Sequence, residues 1–163
     1  MEIKVLGSVS PFCRLNRNCP GFLVTENKTK ILLDCGNGSL SLLDPMKDLE
    51  NLVVIISHLP NMSYVQHKLG YLKNRIKVYL PKDTRYRMVQ EVDYDDLICD
   101  TIENLYLKGI QASYMDIYSY DSYKPIVLDN QNIRIATKYT IHDIPCYAIR
   151  IDSSDGSLVY SAD

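Results

Sequence analysis

The segment Leu52–His58 reads LVVIISH and decides the fold class of this chain. Its first five residues are large aliphatic side chains, most of them β-branched. Such a run is typical of a strand that is buried on both faces, as in layered α/β folds. The run ends in Ser57 and His58, and residues that follow such a strand lie at the edge of the sheet where α/β proteins bind ligands. The segment therefore predicts a central strand with a candidate functional histidine at its end.

The rest of the chain predicts a β-meander, then alternating strands and helices, and then a second meander. A four-residue loop at 26–29 is expected to join the second and third strands as a hairpin. The predicted strands are 3–6, 21–25, 30–34, 52–56, 76–80, 112–118, 125–128, 133–139, 146–151 and 158–160, and the predicted helices are 39–43, 62–72, 83–92 and 95–107. This order favours an α/β domain in which helices flank the sheets.

Length and composition exclude several classes of protein. The 163 residues favour a single domain spanning 1–163, and the net charge of −2 gives no basic field for non-specific nucleic-acid binding. No apolar run reaches the length of a membrane span, and the chain begins directly with a strand pattern, so we expect a cytoplasmic protein. The five cysteines form no C-x-x-C pair and are expected to be buried thiols.

Tyrosines cluster between the helical and the second meander regions. We expect Tyr114, Tyr118, Tyr120 and Tyr123 to pack on strand faces, and a binding surface is the alternative.

Three side chains that can bind metal follow predicted strands or precede them at a polar corner. His58 follows the buried strand, His142 lies in the corner before strand 146–151, and Asp163 follows strand 158–160. Imidazole and carboxylate groups suit zinc, iron or manganese. His67 is the third histidine of the chain, and we expect it to face solvent on a helix.

Five segments, taken in order, resemble the metallo-β-lactamase-fold proteins along nearly the whole chain. They are VLGSVSP at 5–11, ILLDCGNG at 31–38, VIISH at 54–58, HDIPCY at 142–147 and LVYSAD at 158–163. The ribonuclease Z-like and cyclic-phosphodiesterase-like branch is the most similar one. The resemblance implies an αββα sandwich in which His58, His142 and Asp163 bind metal. It also implies that Asp34 supports the metal loop without binding metal.

The chain departs from the metal motif of that family. The motif is H-x-H-x-D-H, and this chain reads HLPNMS at 58–63, so Pro60, Met62 and Ser63 replace the second histidine, the aspartate and the last histidine. The second metal site of the family is therefore expected to be absent. The first site would keep His58, His142 and Asp163.

The resemblance also implies that the sandwich is incomplete at its C-terminus. Members of the family continue past the aspartate with a second half-sheet, helices and a final metal histidine, whereas this sequence ends at Asp163. Exposed sheet surface or an unpaired strand edge would favour association, so we expect a homo-oligomer or a complex with another protein chain.

Two functional interpretations follow, and they differ in whether a single metal ion still binds and supports full catalysis. The first is a degenerate protein, non-catalytic or strongly attenuated, that acts by binding or assembly. The alternative is a hydrolase of phosphodiesters or related esters with a single Zn, Mn or Fe ion at His58, His142 and Asp163. An unrelated α/β fold with accidental motif matches is a third interpretation.

Overall fold

A computed structural model gives the architecture of the chain. It describes residues 1–8, 18–36, 38–44, 47–48, 50–58, 76–81, 115–128, 132–142 and 146–162. The predicted helices at 62–72, 83–92 and 95–107 lie outside the described residues. The predicted helix at 39–43 is a short 3₁₀ helix, Ser39–Leu42. No helix among the described residues is long and apolar enough to span a membrane.

In the part of the chain that the structure describes, ten strands form two sheets. The first sheet has the order β1 (Glu2–Gly7), β2 (Gly21–Glu26), β3 (Thr29–Leu33), β4 (Leu52–Ile55), β5 (Ile76–Pro81) and β6 (Met115–Tyr120). The second sheet has the order β10 (Gly156–Tyr160), β9 (Cys146–Ser153), β8 (Ile133–Thr140) and β7 (Ile126–Leu128). The strands β3 to β6 run parallel, and every pair in the second sheet is antiparallel.

The hairpin between β2 and β3 is tighter than the sequence predicted. Glu26 pairs with Thr29, so Asn27 and Lys28 alone form the turn, and the prediction of a four-residue loop is wrong. Asn27 has a φ of 53°, a left-handed conformation that asparagine tolerates better than most residues. The left-handed residue closes the hairpin in two residues and keeps Glu26 and Thr29 in the ladder.

Strand β4 is buried on both faces, as its aliphatic run predicted. Side chains on one face join a cluster with Leu6, Leu23, Leu32 and Val78. Side chains on the other face join the inter-sheet core, which we define as the buried side chains that the first sheet shares with β8 and β9. Its members include Val24, Ile31, Leu33, Val53, Ile55, Ile133, Ile135, Ile149 and Ile151. The inter-sheet core holds the end of β4 against the second sheet.

The outward face of the second sheet carries both charged and apolar side chains. Arg134, Lys138 and Arg150 are exposed on it, together with the apolar side chains of Val127 and Val159. The expectation that the chain associates with a second copy or with another protein stays a prediction.

The three described cysteines are in two chemical states. Cys35 and Cys146 are buried free thiols, as predicted. Burial, and next the charge of Asp34, raises the pKa of Cys35 to about 12. Cys19 is disulfide-bonded, so the prediction that every cysteine is a thiol is wrong there. Irregular spacing in the sequence does not reveal which sulfurs the fold brings together.

The inter-sheet core predicts that two isoleucine-to-alanine substitutions, one buried and one exposed, differ widely in their effect on the free energy of unfolding. Ile149→Ala removes a fully buried side chain and is expected to lower the free energy of unfolding by about 2–5 kcal/mol. The matched control is Ile141→Ala, because Ile141 is fully exposed and its truncation should change that free energy by less than about 0.5 kcal/mol. Urea denaturation of both variants measures the difference. Equal midpoints would contradict the described core.

Candidate functional site

The candidate site lies where β4 ends against the start of β9. His58 comes three residues after the last residue of β4, and its side chain is buried, with 6% exposed. His142 lies between β8 and β9 and is exposed. The two imidazole rings have centroids 5.7 Å apart and planes at 48°. The fold therefore brings together two of the three candidate ligands that the sequence singled out, from positions 84 residues apart along the chain.

The third candidate ligand, Asp163, lies outside the described residues. His67, which the sequence predicts to face solvent, also lies outside them. Among the described residues, no three His, Cys, Asp or Glu side chains form a group that could hold a metal ion.

Asp34 supports the peptide that carries His58. Its Oδ1 atom accepts a hydrogen bond from the Ser57 backbone N–H at 2.7 Å, and its Oδ2 atom accepts from the Ser57 hydroxyl at 2.7 Å. The hydroxyl of Tyr160, on β10, donates to the same Oδ2 atom at 2.6 Å. The carboxyl group is fully buried, so these three donors replace the water that it loses. This arrangement agrees with the supporting role that the family resemblance implied for Asp34.

The backbone at Asp34 adopts a conformation that most residues avoid. Its φ is 55°, and its N–H donates to the carbonyl of Ile55 at 2.9 Å. A non-glycine residue in the left-handed region costs about 1–2 kcal/mol, which the surrounding hydrogen bonds must offset. Burial raises the pKa of Asp34 above its usual range, while the hydrogen bonds from Tyr160 and Ser57 act in the opposite direction.

Two further hydrogen bonds fix the end of β4. The buried hydroxyl of Tyr120 donates to the carbonyl of Ile56 at 2.7 Å, and the backbone N–H of Tyr147 donates to the carbonyl of Ser57 at 3.2 Å. Tyr120 lies on the first sheet and Tyr147 on the second, and their rings meet edge to face with centroids 5.4 Å apart. The segment that precedes His58 is therefore held from both sheets.

The sequence does not identify the residues that hold this segment. Its pattern places Ser57 at the end of the buried strand without a role of its own, and it predicts that Tyr120 packs on a strand face. Tyr120 does pack there, but its hydroxyl also bonds Ile56. A weak signal existed for Ser57 and Asp34, because both follow buried strands directly. Tyr160 carried no signal, since 126 residues separate it from Asp34.

The chemistry of the two histidines fits a bound divalent ion. Two imidazoles on one tetrahedral zinc ion place their ring centroids roughly 5 Å apart, given a Zn–N distance of about 2 Å. The observed 5.7 Å is close to that separation. The Nδ1 atom of His58 lies 2.9 Å from the Ser57 hydroxyl, so a protein group orients this ring. Metal-binding histidines generally have such a partner on the second ring nitrogen.

Comparison with solved structures settles the fold. A crystal structure of the metallo-β-lactamase fold protein YhfI from Bacillus subtilis matches 99% of this chain and 61% of its own length, with a TM-score of 0.72 and 23% identity. The chain has the metallo-β-lactamase fold. The short form of human tRNase Z has the same fold, with a TM-score of 0.67 and 16% identity over 100% of this chain and 69% of its own. Zn²⁺-bound PqqB from Methylobacterium extorquens gives a TM-score of 0.69 and 10% identity, over 98% of this chain and 64% of PqqB.

Comparison with curated sequences adds one relative. The probable metallo-hydrolase YhfI of Bacillus subtilis is 26% identical over 100% of this chain, which spans 64% of the length of that relative. No family model matches the sequence. These findings confirm the predicted metallo-β-lactamase fold, and the alternative of an unrelated α/β fold is wrong.

The hydrogen bond from Tyr120 to Ile56 predicts a measurable loss of stability. Tyr120→Phe leaves the buried Ile56 carbonyl without this donor and is expected to lower the free energy of unfolding by about 1–3 kcal/mol. Tyr123→Phe removes the same atom from a side chain that is 94% exposed, and it should have no measurable effect. Thermal unfolding of both variants, followed by circular dichroism, provides the comparison. A Tyr120→Phe variant as stable as the parent would count against the described bond.

Proposed function

We propose that this chain binds one divalent metal ion through His58, His142 and Asp163, and that it is a strongly attenuated hydrolase of phosphodiesters or related esters. The observation that carries the proposal is the pairing of the two histidines, with ring centroids 5.7 Å apart. One ring is buried and held by Ser57, and the other is exposed. The buried histidine would therefore be a rigidly held ligand, and the exposed histidine would leave the ion accessible from solvent.

The position of Tyr160 supports Asp163 as the third ligand. The Tyr160 hydroxyl bonds Asp34, which in turn bonds Ser57, the residue next to His58. Asp163 follows Tyr160 by three residues, a span of at most roughly 10 Å for an extended chain. The end of β10 is therefore anchored within reach of the two histidines.

The ligand set determines what chemistry the site would support. Two imidazoles and a carboxylate suit zinc or manganese, and an ion held by three protein ligands keeps a position for water or substrate. Such an ion lowers the pKa of water and polarises a phosphoryl oxygen. Within this site His58 would contribute a ring of fixed direction, and His142 would be the ligand exposed to solvent.

The sequence after His58 supports attenuation. Pro60 has no donor atom, Met62 offers only a soft thioether, and Ser63 offers a neutral hydroxyl. Pro60 stands where the family motif has its second histidine, whose loss should weaken metal binding, and Met62 and Ser63 stand where the motif has the aspartate and the last histidine that serve the second ion. Two-metal hydrolases use that ion to stabilise the attacking and leaving oxygens of the displacement.

The comparisons support the proposal at the level of chemistry. YhfI is named a probable metallo-hydrolase, and the PqqB structure contains zinc. The chain spans only 64% of the length of YhfI, so the activity of a whole protein of this type is part of the proposal.

Metal content is the first test of the proposal. Protein purified without chelator or affinity tag and incubated with Zn²⁺ or Mn²⁺ is expected to contain about one ion per chain by elemental mass spectrometry. The bound ion should also raise the melting temperature, because a ligand that binds the folded state stabilises it by mass action. His58→Ala and His142→Ala should each lose both effects.

His67→Ala is the matched control, since it removes an imidazole that the proposal does not use. It should keep the metal and the shift in melting temperature. No metal in the parent protein after reconstitution would overturn the proposal and leave a role in binding or assembly. Equal loss of metal in the His67 variant would show that the ligands are wrongly assigned.

Restoring the family motif tests the attenuation. The triple variant P60H/M62D/S63H is expected to bind a second ion and to raise the rate of bis(p-nitrophenyl) phosphate hydrolysis by about 100-fold, a size typical of regaining one preorganised electrostatic contact. The double variant M62D/S63H, which keeps Pro60, serves as an intermediate. A parent protein already as fast as the triple variant would contradict attenuation.

A further inference from the structure

The Ser57 hydroxyl lies between two partners that compete for its proton. Its Oγ atom is 2.7 Å from Oδ2 of Asp34 and 2.9 Å from Nδ1 of His58. A serine hydroxyl has one proton to donate and two lone pairs that accept. The direction of one hydrogen bond therefore fixes the direction of the other.

The surroundings of Asp34 decide that direction. Its Oδ1 atom accepts from the Ser57 backbone N–H, a group that can only donate, and the Tyr160 hydroxyl lies 2.6 Å from Oδ2. Burial raises the pKa of Asp34, but the Ser57 N–H, the Ser57 hydroxyl and the Tyr160 hydroxyl all converge on its carboxyl group and favour the ionised form. The proposal takes this ionised form, which accepts hydrogen bonds and donates none. The Ser57 proton then points to Asp34, and the remaining contact with His58 requires the ring to donate from Nδ1.

We propose that Ser57 is a positioning residue that, together with Asp34, holds the neutral ring of His58 as its Nδ1–H tautomer. The lone pair then resides on Nε2, the atom that would bind the metal. The tautomer is a property of the protein without metal, whereas its use in metal binding rests on the function proposed above. The role differs from that of a packing residue, because it depends on one hydroxyl proton.

The tautomer is measurable directly in the chain without metal. Long-range ¹H–¹⁵N correlation spectra of protein with ¹⁵N-labelled histidine, recorded near pH 8.5, distinguish a protonated ring nitrogen from one with a lone pair. This pH lies above the ordinary range of histidine pKa values, so neutral rings dominate. His58→Gln assigns the signals by their loss. Parent His58 is expected to show Nδ1 protonated and Nε2 unprotonated.

Three variants distinguish the effect of the Ser57 hydroxyl on the tautomer from the effect of the volume that the side chain fills. Ser57→Ala removes the acceptor, and His58 should shift to the Nε2–H tautomer that histidine prefers in water. Ser57→Thr keeps a hydroxyl and should keep the Nδ1–H tautomer. Asp34→Asn turns an acceptor into a donor, so the Ser57 proton should point to His58 and the ring should become Nε2–H.

Two results would overturn the proposal: a parent His58 protonated at Nε2, or a Ser57→Ala variant whose Nδ1–H signal is unchanged. The parent spectrum alone decides the first, even where a variant fails to fold. The signals of His142 report whether each variant keeps the fold around the site.

Zinc affinity connects the tautomer to the proposed function. In a competition titration with a chromophoric chelator, Ser57→Ala is expected to bind Zn²⁺ about 10–100-fold more weakly than the parent, and Ser57→Thr within about threefold of it. An affinity that Ser57→Ala leaves unchanged would overturn the positioning role. A parent that binds no zinc but shows the Nδ1–H tautomer would overturn the proposed function and leave the tautomer assignment standing.

Discussion

The buried carboxylate of Asp34 is the constraint on which the rest of the site depends. A carboxylate without solvent must be surrounded by donors, and here they come from Ser57, after β4, and from Tyr160, on β10. Three segments that are distant in sequence are therefore held at one point. Displacing either Ser57 or Tyr160 would leave the buried carboxyl group with fewer donors, so the three segments stabilise one another and the direction of His58 follows from their arrangement.

The two sheets supply the second part of the site. The N–H of Tyr147, near the start of β9, donates to the carbonyl of Ser57 across the inter-sheet core. This bond holds the start of β9 beside the segment that follows β4. The segment between β8 and β9 contains His142, so the same bond determines how closely the exposed histidine approaches the buried one. Packing of aliphatic side chains brings the sheets together, and the polar contacts set their register.

Much of this fold is encoded locally. The aliphatic run at Leu52–Ile56 predicted a strand buried on both faces, and alternation predicted most of the other strands, because a strand has a side-chain period of two. The hairpin at Asn27 was predicted too long, since one left-handed residue shortens a turn without changing the surrounding pattern. The predicted helices and Asp163 lie outside the described residues, so their positions stay predictions.

The contacts around the site were less predictable than the strands. Tyr120 and Ile56 are 64 residues apart, and Tyr160 and Asp34 are 126 residues apart. No local period or spacing encodes a hydrogen bond over such a distance, because it depends on how complete sheets stack. His58 could be identified from its place after a buried strand. Its orienting hydroxyl could not, since a serine in that position reads equally well as a loop residue.

Asp34 and His142 carry different weight as evidence for metal binding. Asp34 and Ser57 are fully buried and bonded to one another, so the stability of the fold is a sufficient reason for both. Their presence would be expected in a protein of this fold that had lost all chemistry. His142 is exposed and is not a member of the inter-sheet core, so burial does not explain its position. Its ring lies beside that of His58, which is the placement that the proposed shared metal ion requires.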